Sequence, residues 1–282
     1  MKSALGRGFD VGLSSNRYVI AATWVAGAAG FFTSLGDGFG NAIGDGFVSG
    51  GATFLAWAIA RELDPDSTLT AAIAAPIGLG IWFIGAPGLW VVGTALLAMR
   101  LIANTTGRSP WPADLVVAIG FAAVAGLRPG GVIAASALGV ALILDCLLSP
   151  KARTVQYAAG LFAVIAGAIA AVVWADLLAF ETVSAIGGLI AVLSLLAVAA
   201  TPLRNPLSVG DLTGKPLSRK RIRLARGAAV VIGAGYLVFG GETGLITIGP
   251  MLAAMIALPL GLVQNRAAAE ASVNPSSGPS SG

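Results

Sequence analysis

Apolar residues in this chain come in long, closely spaced runs, and that pattern constrains the fold more than any motif does. The runs lie near residues 18–35, 47–61, 69–86, 88–103, 113–127, 131–148, 155–175, 182–201, 227–240 and 245–263. Several are shorter than the roughly 20 residues a helix needs to cross about 30 Å of hydrocarbon. Such segments rely on flanking polar residues or local thinning, or enter without crossing. Only 11% of residues are charged, whereas a soluble domain carries about 25%. With a mean hydropathy of +0.87, the pattern predicts an all-α, polytopic membrane helix bundle of about ten transmembrane segments. The 39 glycines fit that fold, because helices in lipid associate through small residues that let backbones approach closely.

Charge orients the segments. If residues 1–17 are cytoplasmic and all ten segments cross, sixteen of the seventeen cations fall on the cytoplasmic side, and Arg128 alone falls outside. This is the bias of the positive-inside rule. It predicts a multi-pass protein of a cell membrane, such as a bacterial inner membrane, with both termini cytoplasmic. Residues 18–263 form its transmembrane domain, and residues 264–282 form a tail ending in a flexible, linker-like NPSSGPSSG. The cations near the N-terminus do not mark a secretory signal, because one clear small-residue cleavage site is missing after the first apolar run. The outer face is net acidic through Asp37, Asp45, Asp176, Glu181 and Glu242. A division near LRPGG gives two halves of five segments entering from opposite sides, as inverted-topology repeats require.

There is no histidine and one cysteine, Cys146. A catalytic imidazole, a histidine-ligated zinc or haem and an intrachain disulfide are therefore excluded, and Cys146 reads as a small core residue. Acid–base chemistry would fall to Asp, Glu, Lys, Tyr or water.

The most polar constellation is GDGFGNAIGDG, residues 36–46. In a helix, Asp37, Asn41 and Asp45 share one face and can bind a cation or solute. Its five glycines argue equally for an irregular solvated turn. The GDG unit followed by a glycine-rich apolar stretch resembles the motif of the polyprenol and phytol kinase group. The basic, glycine-containing stretch expected to follow is absent, however, and the charge bias places both aspartates away from cytosolic nucleotide.

A second constellation is ARELDPDST, where Pro65 ends a helix and gathers Glu62, Asp64 and Asp66 at a cytoplasmic turn. Three carboxylates there can hold Mg²⁺ and, through it, a phosphate. They equally suit a local pairing of Arg61 with a cap from Asp66 or Ser67. A third set comprises Arg100, Asp114, Asp145 and Glu181, polar groups in or beside apolar spans. Such groups usually face a cavity or a partner: Arg100 and Asp145 can pair with each other, or Arg100 can snorkel to the interface and Asp145 can meet the basic KAR that follows it. The basic run within loop 202–226 suits anionic lipid. It lacks the interleaved aromatics of a nucleic-acid site. Pro76, Pro87, Pro250 and Pro259 mark AAPIGLGIWFIGAP and TIGPMLAAMIALPLG as candidate interrupted helices.

Two functions follow as expectations. The first is a small secondary transporter or permease for a cation or small solute, using Asp37, Asn41, Asp45, Arg100 and Asp145. The alternative is a membrane enzyme acting on a lipid or isoprenoid phosphate, with Mg²⁺ on Glu62, Asp64 and Asp66 and the head group on Arg100 and Arg108. A non-catalytic subunit would need none of these residues.

Overall fold

The computed structural model describes residues 3–6, 11–128, 130–149, 154–155, 157–163, 182–203 and 205–273. Among them the secondary structure is helical, with one isolated bridge between Val209 and Pro216 and no strand. In chain order the helices are α1 (Ser14–Thr33), α2 (Phe39–Leu63), α3 (Thr68–Trp82), α4 (Leu89–Ala103), α5 (Pro112–Gly126) and α6 (Gly131–Leu148). After the undescribed residues come α7 (Ala185–Ala200), α8 (Arg219–Phe239), α9 (Gly241–Thr247) and α10 (Gly249–Val273). Most of the seventh apolar run and Glu181 lie outside the described residues.

Local chemistry explains where helices begin and end. Ser67 Oγ accepts the Thr70 N–H at 3.1 Å and caps α3, so of the two expected caps it is the serine that acts. Pro112 opens α5, where its missing N–H costs nothing. Asn104 takes the left-handed conformation that closes α4. Pro76 and Pro259 sit inside α3 and α10, which continue past them.

The α1–α2 hairpin shows what the glycines do. A 3₁₀ turn at Leu35–Asp37 links the helices, and α2 begins at Phe39. Thus the first GDG unit forms the turn and the second belongs to a helix. A Cβ on Gly46 would stand 2.9 Å from the Gly27 carbonyl oxygen, and one on Gly30 would stand 2.5 Å from that of Asp45. Backbones this close admit only hydrogen at those positions. Ser49 Oγ then donates to the Ala26 carbonyl at 2.9 Å across the same interface.

One core joins α2, α3, α8 and α10 through residues such as Ile59, Ala74, Ile232, Met251 and Met255. A second joins α4, α5 and α6 through Ile102, Leu115, Leu138 and Leu142. Large apolar side chains such as Trp24, Phe32, Val116, Leu147 and Ile186 are exposed on the outside.

Among the described residues three helices, α2, α6 and α8, are long and apolar enough to cross a membrane. The pair α9 and α10, bent by 70°, makes a fourth if it forms one span. This is compatible with a membrane location but does not reach the expected ten crossings. Helices α3, α4, α5 and α7 are apolar but 15 or 16 residues long. At 1.5 Å per residue they measure about 22–24 Å, short of the roughly 30 Å hydrocarbon core.

The bundle has two chemically distinct ends. Contacts among residues 3–5, 62–67, 100–106, 145–149 and 207–226 define one. Contacts among residues 85–91, 128, 130, 182–187 and 236–249 define the other. Arg100, Arg221 and Arg226 lie at the first end, and Arg128 lies at the second.

Candidate functional site

The first end is held by buried ion pairs. Glu62, in the last turn of α2, is fully buried. Its Oε1 accepts Arg100 Nε at 2.7 Å, and its Oε2 accepts the Thr105 hydroxyl at 2.5 Å. Arg100 Nη1 also donates to the Leu5 carbonyl at 2.6 Å. Residues 3–5 are tied down further: the Ser3 hydroxyl and the Ala4 N–H donate to Asp114, and Thr106 donates to the Ala4 carbonyl at 3.1 Å.

Asp145 accepts from Arg221 Nη1 at 2.8 Å, and the same guanidinium reaches the Ile102 carbonyl and the Ser149 hydroxyl. The candidate Arg100–Asp145 pair is therefore corrected. Arg100 turns to α2 and Asp145 to α8, because the basic run begins a helix at Arg219 and packs against α4. Arg226, also buried, donates to the carbonyls of Leu63 at 2.8 Å and Thr201 at 3.0 Å. Its Nη2 stands 4.0 Å from Asp64. Arg221 and Arg226, which the sequence places in a lipid-facing basic loop, lie inside α8 and under cover. Their signal was present in the helical spacing of Ile222, Ala225, Ala229, Ile232 and Tyr236, which extends upstream through both arginines.

The three carboxylates of the ELDPD turn separate. Glu62 faces Arg100 and Thr105. Asp64 accepts from Thr70 at 3.2 Å and faces Arg226. Asp66 accepts the N–H groups of Leu207 and Ser208 at 3.0 and 2.8 Å, together with the Ser208 hydroxyl. Among the described residues no three Asp, Glu or Cys side chains are grouped to hold a metal ion. Burial pushes the Asp64 carboxyl above the usual carboxylate range, and Arg226 and the Thr70 hydroxyl offset this only in part.

Asp66 also anchors a cover. The segment 205–217 lies over this end, its Asp211 and Leu212 N–H groups donating to the carbonyls of Thr105 and Thr106, each at 3.2 Å. Gly107 makes the approach possible. With φ at +73° and Thr213 Oγ1 close to where a Cβ would be, a side chain here would be strained and would displace Thr213.

At the opposite end the chain leaves a cavity of about 370 Å³. Its walls are Phe47 and Val48 of α2, the turn Ala86–Gly88, the first residues of α4, Arg128 after α5, and Thr243 and Thr247 of α9. The cavity lies beside the 70° break between α9 and α10. That break is braced by the turn after α3: the Gly88 N–H donates to the Thr247 carbonyl at 3.1 Å, and Gly85 and Gly249 lie against Ile246 and Ile81. The two segments expected to be interrupted thus meet. The interruption falls at Ile248, with Pro250 in the first turn of α10.

The GDG residues take no part in that cavity. Asp37 and Asn41 are exposed and Asp45 is half-buried; Asn41 donates to the backbone carbonyl of Asp37 at 2.9 Å. Only Asn41 and Asp45 lie within α2. Glu242 accepts the Ser184 N–H at 2.9 Å, at the start of α7. Arg108 is exposed.

Compared with protein-family models, curated proteins and solved structures, the chain matches none.

Proposed function

We propose that the protein is a small secondary transporter or permease that moves a small solute across a cell membrane. The supporting observation is the asymmetry of its ends: a cavity open at a broken helix, opposite an end closed by three Arg–carboxylate contacts, two short and one of 4.0 Å, and a cover anchored on Asp66. Alternating access needs a site reachable from one side while the other is shut, and broken helices commonly build such sites. On this reading the ion pairs are the gate that must part before solute leaves. The finer topology belongs to the same proposal: ten crossings in two inverted halves, short helices accommodated by local thinning, and the ion-paired end and both termini cytoplasmic under the positive-inside rule.

The solute site is the cavity rather than the GDG stripe, and Arg100 and Asp145 act in the gate. A Mg²⁺-dependent enzyme acting on a lipid phosphate gains less support. Glu62, Asp64 and Asp66 each serve a different structural partner, and Arg100 is committed to Glu62.

The test is flux into proteoliposomes containing the purified full chain. Uptake of radiolabelled organic anions, cations and neutral solutes is followed under imposed proton and sodium gradients. Gradient-driven accumulation of one class above protein-free liposomes is expected. Equal, protein-independent leakage of every class would remove the transport reading.

A further inference from the structure

The cavity's lining defines the chemistry of what it takes. Arg128 is the one cation the charge pattern places apart from all the others, and the structure puts it on the cavity wall. Among the described residues it has no carboxylate partner, whereas Arg100, Arg221 and Arg226 at the other end each face one. Leu89, Trp90 and Val91, also on the wall, form the first turn of α4. First-turn N–H groups lack intrahelical acceptors and carry the positive end of the helix dipole. The remaining lining is largely apolar, with the hydroxyl-bearing Thr243 and Thr247 beside the break.

We propose that this cavity binds a small amphipathic organic anion. Its acidic group meets Arg128 through forked, charge-assisted hydrogen bonds, and its apolar body lies against Val48, Leu89 and Val91. A volume of about 370 Å³ is near the lower end of the range of small-molecule pockets, which suits a short chain or one ring. This deepens, and rests on, the reading of the cavity as the solute site. It replaces the expected cation with an anion. The acidic group belongs either to a free solute or to a lipid head group, and the two sources share this chemistry.

Binding is measured apart from flux, by calorimetric titration of the full chain in phosphatidylcholine nanodiscs, with empty nanodiscs as baseline. Hexanoate, hexanamide and hexylamine share a tail and differ in charge. Hexanoate is expected to bind roughly tenfold or more tighter than hexanamide, and hexylamine the weakest. Arg128→Gln lowers hexanoate to the hexanamide level, and Arg128→Lys keeps part of the preference. Val48→Trp fills the cavity without touching the charge, so hexanoate and hexanamide are lost together. If phosphatidylglycerol nanodiscs weaken hexanoate binding to the wild type but not to Arg128→Gln, the anion is a head group. If they have no effect, it is a free solute. Equal binding of hexanoate and hexanamide, or an unchanged hexanoate affinity in Arg128→Gln, overturns the proposal. Binding without flux would remove transport and keep the anion site, and flux without anion binding would do the reverse.

Discussion

The two ends of this bundle solve the problem of polar groups in an apolar protein in opposite ways. At the ion-paired end, Glu62, Asp145 and Asp64 sit against Arg100, Arg221 and Arg226, and backbone carbonyls complete each guanidinium. At the open end, close packing of small residues joins the helices, and Arg128 stands on a cavity wall with no carboxylate among the described residues. A buried ion pair adds little net stability but is costly to break on one side only. On the transport reading proposed above, the paired end is the gate and the open end is the solute site.

The largest expected effect lies at the ion-paired end. Arg100→Met leaves Glu62 charged, buried and uncompensated, and should cost about 3–5 kcal/mol. The double variant Glu62→Met/Arg100→Met should recover most of that. At the open end Arg128→Gln should stay within about 0.5 kcal/mol of wild type, as an exposed side chain does. Thermal unfolding of the three variants in nanodiscs checks the contrast, and equal losses at both ends would break it.

Packing at the open end gives the next effect. A Cβ on Gly30 would lie 2.2 Å from Ser49 Oγ as well as close to the Asp45 carbonyl oxygen, whereas one on Gly44 meets nothing within 4 Å. Gly30→Ala should cost about 1–3 kcal/mol through overpacking. Gly44→Ala should gain up to about 1 kcal/mol from helix propensity. Unfolding midpoints of the pair measure whether small residues or charges hold this hairpin.

A smaller effect concerns the cover. Asp66→Asn weakens charge-assisted hydrogen bonds to Leu207 and Ser208, so transient opening of segment 205–217 should rise roughly tenfold. Hydrogen–deuterium exchange at the Asp211 and Leu212 amides, which bond Thr105 and Thr106 in the closed cover, reports it, with unchanged exchange counting against this role of Asp66.

The smallest is a pH dependence. Because the folded state raises the Asp64 carboxyl above its ordinary range, it holds the proton more tightly than the unfolded chain does. The stabilisation is therefore complete below the ordinary aspartate range and is lost as pH rises through the elevated folded value. Asp64→Asn should flatten the stability profile over that window, as followed by unfolding midpoint against pH.

Much of this arrangement was legible in the sequence. Apolar periodicity located most of the helices, and the charge pattern singled out Arg128, which lies on the cavity wall away from Arg100, Arg221 and Arg226. The glycine-rich stretch was ambiguous because glycine is both a turn former and the residue that lets helices approach. Here the second role prevails from Phe39 onward, since α1 lies against Gly46 and Gly50. Partner choice was not legible. Which carboxylate Arg100 meets depends on the rotation and depth of four helices, and that information lies in their packing. The cavity was hidden for the same reason, because its walls come from four separated stretches of chain.

The most direct test of alternating closure uses cysteine labelling in nanodiscs, where a water-soluble maleimide reaches both ends. In a Cys146→Ala background, Thr243→Cys at the cavity should react quickly, and Leu63→Cys beneath the ion pairs, at a position that is fully buried, should be protected. Adding Glu62→Gln to each should speed labelling at position 63 and slow it at position 243, as the bundle opens at one end and closes at the other. Faster labelling at position 63 with position 243 unchanged or faster would mean that the ion pairs only hold the fold together, and would contradict the account.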